Sequence, residues 1–212
     1  QLQEKSEHGH GRFAGVRAAV ARFLGAEPAE IALVRNATEG NAIVAAGLNL
    51  AAGDEVIFET HAHPGGSFPW LNQAKLRGIT VKLFEPDPRS AAGNLERIRQ
   101  LMTKRTRVVQ VSHVTAPTGI LLPVAEIGRL CRERGVWFHV DGAQSAGMFP
   151  FSVRAIGCDS FATSGHKWLG APHETGMLFV RRDRIGDVAP TLVGAYSGEA
   201  EFLPGELRLH DH

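Results

Sequence analysis

The chain has 212 residues, of which 43% are apolar and 21% are charged, and its formal net charge is +1. This composition is typical of a soluble globular protein with one good-sized domain. The near-zero charge gives no indication of nucleic acid or an anionic membrane surface as a partner, and no apolar run approaches the length of a membrane span.

The predicted elements alternate between helical patterns and short apolar runs. In chain order they are a helix over 12–25, a strand over 31–35, a helix over 36–50, a strand over 54–59, a helix over 68–78, a strand over 80–85, a helix over 91–103, a strand over 107–112, a helix over 123–135 and strands over 136–141, 159–163 and 177–180. The strands are continuous apolar runs rather than alternating ones. That pattern indicates an α/β fold with a mostly parallel sheet and helices on both faces.

The first helix and the two chain ends carry further expectations. One face of the first helix gathers five apolar residues, Phe13, Val16, Val20, Phe23 and Leu24. Residues 1–185 are predicted to form the domain, and residues 186–212, where the alternation is lost, to begin a connection to something further. The first residue is not Met, so it need not be the natural start.

The two cysteines, Cys131 and Cys158, have no metal-ligand spacing to a partner. We expect reduced structural thiols of a cytoplasmic protein, and no metal site.

Polar residues follow five of the predicted strands. In open α/β sheets, ligands bind outside the carboxyl ends of the strands. The residues in these positions are Asn36 to Glu39, then Thr60, His61 and His63, then Ser112 and His113, then Asp141 and Gln144, and finally Ser164, His166 and Lys167. Taken singly, His63 favours a surface loop, Asp141 a helix cap and Thr38 a first helical turn. Five such groups on one edge indicate a binding site.

The first part of this set suits a phosphate. The helix that begins near Thr38 has free backbone N–H groups at its N-terminus, which bind anions well. Ser164 and His166 add further donors to the same anion.

The second part suits a planar ring and an aldehyde. Asp141 can pair with a protonated ring nitrogen, Gln144 can hydrogen-bond a ring substituent, and His63, or with less support His61, can lie flat on the ring. Lys167 is then an amine that condenses with the aldehyde, which is the pattern of pyridoxal phosphate. The alternative is a structural Lys167 whose stem packs under a loop while its ammonium reaches water.

The motifs "VDGAQSAG" and "SGHKWLG" resemble those of the class V aminotransferase family of pyridoxal phosphate enzymes. Lys167 follows Asp141 by 26 residues, and this pairing at this distance is specific. "NATEGN" is similar to the family's phosphate loop, and "THAHP" lies where its ring-stacking residue is expected. "SHVTAPTGILLPV" is closer to the isopenicillin N epimerase-like branch, because cysteine desulfurases usually have Asn in place of His113. The resemblance covers residues from about 15 to 180.

The resemblance implies the large cofactor domain of an aspartate-aminotransferase-like fold, known as fold type I of the pyridoxal phosphate enzymes. It implies a Schiff base at Lys167, which also shuttles a proton, and pairing of Asp141 with the pyridine nitrogen. Gln144 would meet the phenolic oxygen, and His63 would stack on the ring. The phosphate would be held by Thr38, Ser164 and His166, helped by the backbone of Ala37 and Thr38. His113 would lie near the phenolic oxygen or the substrate carboxylate.

Other family features concern what lies beyond this domain. Family members have a small C-terminal domain whose arginine binds the substrate carboxylate. That domain is expected to be missing here, and Arg208 is a poor substitute for the arginine. The resemblance also implies a homodimer with the active site at the interface. Glu174 departs from the family pattern, which commonly has a small residue, often Gly, at this point of the loop.

The reaction has several candidate forms. The first is isopenicillin N epimerase-like abstraction of the Cα proton of an amino acid, although a second base is not evident. An aminotransferase and a lyase acting on a carbon–sulfur bond remain alternatives. A cysteine desulfurase is less favoured because neither cysteine resembles a mobile nucleophile. A non-catalytic fragment that binds the cofactor or a partner subunit is the alternative from another class.

Overall fold

The computed structural model describes residues 2–194, 197–201 and 206–209. Its main sheet has seven strands in the order β1-β7-β6-β5-β4-β2-β3. The strands are β1 (Ile31–Val34), β2 (Glu55–Glu59), β3 (Thr80–Phe84), β4 (Thr106–Ser112), β5 (Trp137–Asp141), β6 (Ser160–Ser164) and β7 (Gly176–Val180). Strands β3, β2, β4, β5 and β6 are parallel, whereas β7 is antiparallel to both β6 and β1. The predicted mostly parallel α/β sheet is therefore confirmed.

The described α-helices are α1 (Leu2–Leu24), α2 (Ala37–Gly47), α3 (Pro64–Arg77), α4 (Ala91–Leu101), α5 (Val124–Arg134) and α6 (Val153–Ile156). Helix α3 begins four residues before its predicted start, because His63 caps it and Pro64 occupies a first-turn position that suits proline. Helix α6 was not predicted, since one helical turn is too short to carry a hydrophobic period.

Two apolar clusters cover the two faces of the sheet. One lies under α1, α4, α5 and α6 and is centred on large residues such as Phe138 and Phe161. The other lies under α2 and α3 and includes Val44, Phe58 and Trp70. Helices therefore pack on both faces, as the apolar strands predict.

The apolar face of α1 is only partly buried. Leu24 is fully buried, whereas Phe13 is 63% exposed and Val16 is 50% exposed. A helix of 23 residues is about 35 Å long, much longer than the five-residue strands of the sheet. Among the side chains of α1 that the structure describes, those of the C-terminal turns reach the core, where α1 contacts β1.

The segment after residue 185 first stays on the domain. Val188 forms a bridge with Leu48, and Ala189 N–H donates to the Gly47 carbonyl at 2.9 Å. Beyond it, β8 (Gly198–Glu201) pairs with β9 (Glu206–Leu209). Residues 195–196, 202–205 and 210–212 of the predicted connection lie outside the described residues, and the domain boundary stays a prediction. Among the residues that are described, no helix is long and apolar enough to cross a membrane.

Candidate active site

The polar strand ends lie on one edge of the sheet. In the strand register Ser112 lies opposite Asp141, and Asp141 opposite Ala162. Ser164 lies opposite Gly176, which in turn lies opposite Val34. The sheet thus brings the segments after β1, β4, β5 and β6 together, and the parallel partner β2 contributes the segment that leads to His63.

The N-terminus of α2 leaves one amide free. Asn36 caps the helix and accepts the Glu39 N–H at 2.9 Å. The Ala37 N–H donates to Ser164 Oγ at 2.9 Å, so this predicted phosphate contact already has a partner. The Thr38 N–H makes no hydrogen bond to any described residue. Because Ser164 accepts from Ala37, its own hydroxyl proton remains available to a ligand.

Helix α2 reaches the sheet closely enough to contact Asp141. A Cβ on Gly40 would lie 2.9 Å from the Ala162 Cβ, so only a glycine allows this approach without a shift. The next residue, Asn41, is fully buried and donates from Nδ2 to Asp141 Oδ2 at 2.8 Å. The other carboxylate oxygen of Asp141 accepts the Ala143 N–H at 3.0 Å. Each oxygen keeps a lone pair for a further donor.

Helix α3 begins beside the same carboxylate. His63 is exposed, and its Nδ1 accepts the Gly65 N–H at 3.0 Å, which fixes the ring at the start of the helix. A Cβ on Gly66 would lie 2.9 Å from Asp141 Oδ2, and one on Gly65 would strike Thr38 Oγ1. The glycines after His63 therefore let this helix approach both predicted ligand groups.

The loop after β6 carries Lys167, which is half-buried. No described residue makes a hydrogen bond or ion pair with its amine. The buried Nδ1 of His166 has no partner in the part of the chain that the structure describes, and the His166 ring stacks on His173 at 5.0 Å. Glu174, in the same loop, has a φ of 63°, where a glycine suffers no steric cost. The predicted departure from the family pattern therefore coincides with a strained backbone.

Three further predicted residues lie near this edge with defined partners. His113 is buried, its Nδ1 lies 3.0 Å from Ser145 Oγ, and burial lowers its pKa to about 4. Gln144 Oε1 accepts the Trp168 indole N–H at 2.9 Å, which leaves its amide N–H groups as donors. His61 is held by other partners: its Nε2 lies 2.9 Å from Glu85 and its Nδ1 2.9 Å from Thr118.

Sequence reasoning missed several residues of this region. Asn41 and Trp168 contact predicted site residues, and His139 supports Asn41 with an Nε2 to Oδ1 distance of 2.8 Å. A polar residue inside an otherwise apolar helix or strand is the signal that could have identified Asn41 and His139.

Glu59, at the end of β2, was missed as well. It is fully buried, its Oε1 accepts the Ser112 N–H at 3.0 Å, and its Oε2 has no partner among the described residues. Burial raises its pKa to about 7.

The two cysteines are inert by environment. Cys131 and Cys158 are buried and not joined to each other in a disulfide. Burial raises the pKa of both thiols, which keeps them in the unreactive protonated form.

Comparisons with known proteins agree with this architecture. A model of the family described as aminotransferase class-V matches residues 2–203. A probable cysteine desulfurase from Methanothermobacter thermautotrophicus is 35% identical over 178 residues, which are 84% of this chain and 44% of that protein. The isopenicillin N epimerase of Streptomyces clavuligerus is 34% identical over 179 residues, 84% of this chain and 45% of that protein.

The cystine C–S lyase C-DES has a similar structure. Its complex with the reaction product cysteine persulfide superimposes with a TM-score of 0.86 at 32% identity, covering 96% of this chain and 55% of the lyase. A C-DES variant whose structure holds glycine covalently linked to the pyridoxal phosphate cofactor gives a TM-score of 0.84. The chain spans about half the length of these proteins. Over nearly all of its own length it belongs to the class V aminotransferase family.

Proposed function

We propose that the protein binds pyridoxal 5'-phosphate and removes the Cα proton of an amino-acid substrate, with Lys167 as the amine that joins the cofactor. The main support is that the amine of Lys167 shares one sheet edge with the Asp141 carboxylate and the Thr38 N–H. Neither the amine nor this N–H has a hydrogen-bond partner among the residues that the structure describes. When bound, the cofactor supplies an aldehyde for amines and a ring that withdraws electrons from Cα.

The donors on this edge fit a phosphate. The Thr38 N–H, which no described residue accepts, lies at the N-terminus of an 11-residue helix, where the aligned peptide dipoles favour an anion. Ser164 keeps a hydroxyl proton to donate, and His166 has a buried nitrogen that still needs a partner. An anion here would satisfy these groups, and Ala37 would act through Ser164 rather than directly.

The remaining groups fit a pyridine ring. Asp141 is held by two donors and has lone pairs left for a ring N–H. His63 is exposed and oriented by its cap, so its flat face is available for stacking. Gln144 retains its amide donors for a ring oxygen. His113 is neutral at pH 7 because its pKa is about 4, so it can bind a substrate group without adding charge.

Lys167 is the residue that can move the substrate proton. No described acid or carbonyl group binds the Lys167 amine. The amine would therefore be able to move between a bound cofactor and the substrate Cα. Its stem is half-buried in a loop closed by the Gly165 N–H to Thr175 carbonyl bond at 2.7 Å. This closure restricts the loop and would keep the base near the reacting atoms of a bound substrate.

Epimerisation in the manner of isopenicillin N epimerase is the first finer candidate. The segment around His113, which resembles the isopenicillin N epimerase-like branch, supports this candidate. Overall identity ranks neither enzyme first, since the epimerase is 34% identical to this chain and a probable cysteine desulfurase is 35% identical. Cleavage of a carbon–sulfur bond is the second, and the likeness to C-DES favours it. Elimination needs one base, which Lys167 supplies, whereas epimerisation needs a second base on the opposite face of the ring.

Deuterium exchange separates these candidates. The purified protein with pyridoxal phosphate and a panel of amino acids in D2O should incorporate deuterium at Cα, as followed by proton NMR. Epimerisation inverts the configuration at Cα. C–S cleavage instead breaks the Cβ–S bond and gives pyruvate and ammonia, with sulfide released from cysteine or cysteine persulfide from cystine. Lys167→Ala should abolish exchange, and Lys104→Ala, at an exposed lysine remote in sequence, should not. A wild-type protein without exchange on any substrate would contradict the proposal.

We also propose that the protein acts as a homodimer in the cytoplasm. Exposed apolar side chains near the site support the dimer: Trp168, which contacts Gln144, and Met148. Light scattering on the purified protein would test it, and a monomer at working concentration would contradict it.

A further inference from the structure

A row of five polar side chains extends from Asp141 into the protein beneath α2. We call it the Asp141 relay; its members are Asp141, Asn41, His139, Ser160 and Trp137. Successive members are joined by hydrogen bonds of 2.8, 2.8, 2.7 and 2.9 Å. The three middle members are completely buried, so water does not compete for these bonds.

The far end of the relay allows either direction. The indole N–H of Trp137 can only donate, so Ser160 Oγ accepts there. The Ser160 oxygen has a second lone pair, so its hydroxyl can donate to His139 Nδ1 or its oxygen can accept from that nitrogen. The tautomer of His139 is therefore decided at the near end.

The near end of the relay assigns the tautomer. Asn41 Nδ2 lies 3.2 Å from the Gly65 carbonyl, which can only accept, and 2.8 Å from Asp141 Oδ2. Both protons of the Asn41 amide are therefore used, and its Oδ1 faces His139. His139 Nε2 has to donate to this oxygen, so the neutral ring carries its proton on Nε2 and its bare Nδ1 accepts the Ser160 hydroxyl.

Apart from the Asp141 carboxylate, the relay is a row of dipoles without a charge. Burial lowers the pKa of His139 to about 3, so the ring is neutral at any pH near 7. Each member donates toward Asp141, and hydrogen bonds aligned in this way strengthen one another in a buried setting. Their positive ends point at the carboxylate.

We propose that His139 is a positioning residue whose Nε2–H tautomer locks the Asn41 amide, so that Asn41 holds the Asp141 carboxylate toward the cofactor ring nitrogen. This role rests on the proposed function, in which Asp141 pairs with the ring nitrogen of the cofactor. His139 touches neither cofactor nor substrate and acts through Asn41. Ser160 and Trp137 serve by keeping the tautomer fixed.

The tautomer can be tested in the unmodified protein without any cofactor. With 15N-labelled histidine, the His139 signals should report a protonated Nε2 and a bare Nδ1 that do not change between pH 5 and pH 9. His139→Gln assigns the signals by their loss. A proton on Nδ1, or titration within this range, would overturn the proposal.

The effect on the cofactor is tested by cutting the relay at its far end. Trp137→Phe and Ser160→Ala should lower the ratio of protonated to unprotonated ring nitrogen by about tenfold, as for the loss of about one hydrogen-bond energy. The readout is the nitrogen shift of 15N-labelled pyridoxal phosphate bound to each variant.

A matched control comes from the other buried indole on the same face. Trp70 also donates its N–H to a buried side chain, Gln110, but lies outside the relay. Trp70→Phe should leave the cofactor signal unchanged. Equal effects of Trp70→Phe and Trp137→Phe would mean that core packing, and not the relay, changes the cofactor signal, which would overturn the proposal. A protein that binds no pyridoxal phosphate yet has the expected tautomer would contradict the proposed function and uphold the relay.

Discussion

Two buried carboxyl groups flank the end of β4, and their surroundings are opposite. Asp141, on the β5 side, receives one hydrogen bond on each oxygen, from Ala143 and Asn41. Glu59, on the β2 side, receives the Ser112 N–H on Oε1, while Oε2 has no partner among the described residues. Both carboxyl groups lie on strands that neighbour β4, so both are buried. They differ in the number of hydrogen-bond donors that reach their oxygens.

The number of hydrogen-bond donors determines where a buried negative charge can reside. A buried carboxylate without enough donors takes up a proton instead, and burial raises the pKa of Glu59 to about 7. The negative charge of Asp141 nearby adds a smaller increase to the same pKa. In the proposed site Asp141 is therefore the charged partner of the cofactor, whereas Glu59 is best retained as a neutral acid.

The largest expected effect comes from removing the charge of Asp141. Asp141→Asn should lower the rate of Cα exchange by about 10²–10³, because a preorganised charge opposite the ring nitrogen is lost. The new amide would also face the Asn41 Nδ2 donor, which should cost about 1–3 kcal/mol in the free energy of unfolding. Exchange rates and denaturant titrations measure the two effects.

Asp159→Asn is the matched control for that variant. Asp159 is another buried aspartate, and its Oδ1 lies 3.1 Å from Arg181 Nη1. This ion pair is away from the sheet edge that carries the candidate site. This substitution should reduce stability and leave the exchange rate per folded molecule unchanged. Full activity in Asp141→Asn would remove Asp141 from the site.

Glu59→Gln should have the next largest effect, with the opposite sign. Because the folded-state pKa is raised from 4.5 to about 7, the stability that neutral Glu59 contributes is present below pH 4.5 and lost as the pH rises through about 7. The variant escapes this loss and should be more stable than the parent at pH 8 by about 3 kcal/mol. Urea titrations at pH 4.5 and pH 8 would reveal the divergence.

A second glutamate on β2 provides the control. Glu55 is buried too. Desolvation alone would raise its pKa, but hydrogen bonds from Thr103, Lys82 and Thr106 outweigh it and lower the pKa to about 2. The stability that the Glu55 carboxylate contributes is present above pH 4.5 and is lost as the pH falls toward 2. Glu55→Gln should therefore destabilise the protein at pH 7, and parallel pH profiles for the two variants would refute the contrast.

The smallest expected effect lies in the loop that carries Lys167. Glu174 has the one positive φ among the described residues other than glycine, so Glu174→Gly should raise the free energy of unfolding by about 1 kcal/mol. Thermal unfolding at one pH measures it. Glu174→Ala keeps the strain and should bring no such gain, whereas equal gains in both variants would assign the effect to the lost charge.

The sheet, and the edge of it where the candidate site residues lie, were predictable because they depend on local patterns. Apolar runs give the strands, and the polar residues after them, such as Lys167, lie at the carboxyl edge whatever the details of packing. The partner of the Ala37 N–H was not predictable, since it depends on Ser164, 127 positions away. Sequence reasoning assigned that amide to the phosphate directly.

The supporting residues escaped prediction for a related reason. His139 and Asn41 look like isolated polar substitutions in apolar segments, and only the packing of α2 on the sheet shows that they meet. Glu59 looks like the polar end of a strand, but its side chain bonds to the Ser112 N–H on β4. Long-range pairing of this kind leaves no period or motif in the sequence.

The most direct test of the account is to locate the cofactor attachment. The purified protein is incubated with pyridoxal phosphate, reduced with borohydride, digested and analysed by mass spectrometry. We expect a single phosphopyridoxyl group on Lys167, and none on Lys75, Lys82 or Lys104. A folded protein without label on Lys167, or with label spread over its other lysines, would contradict it.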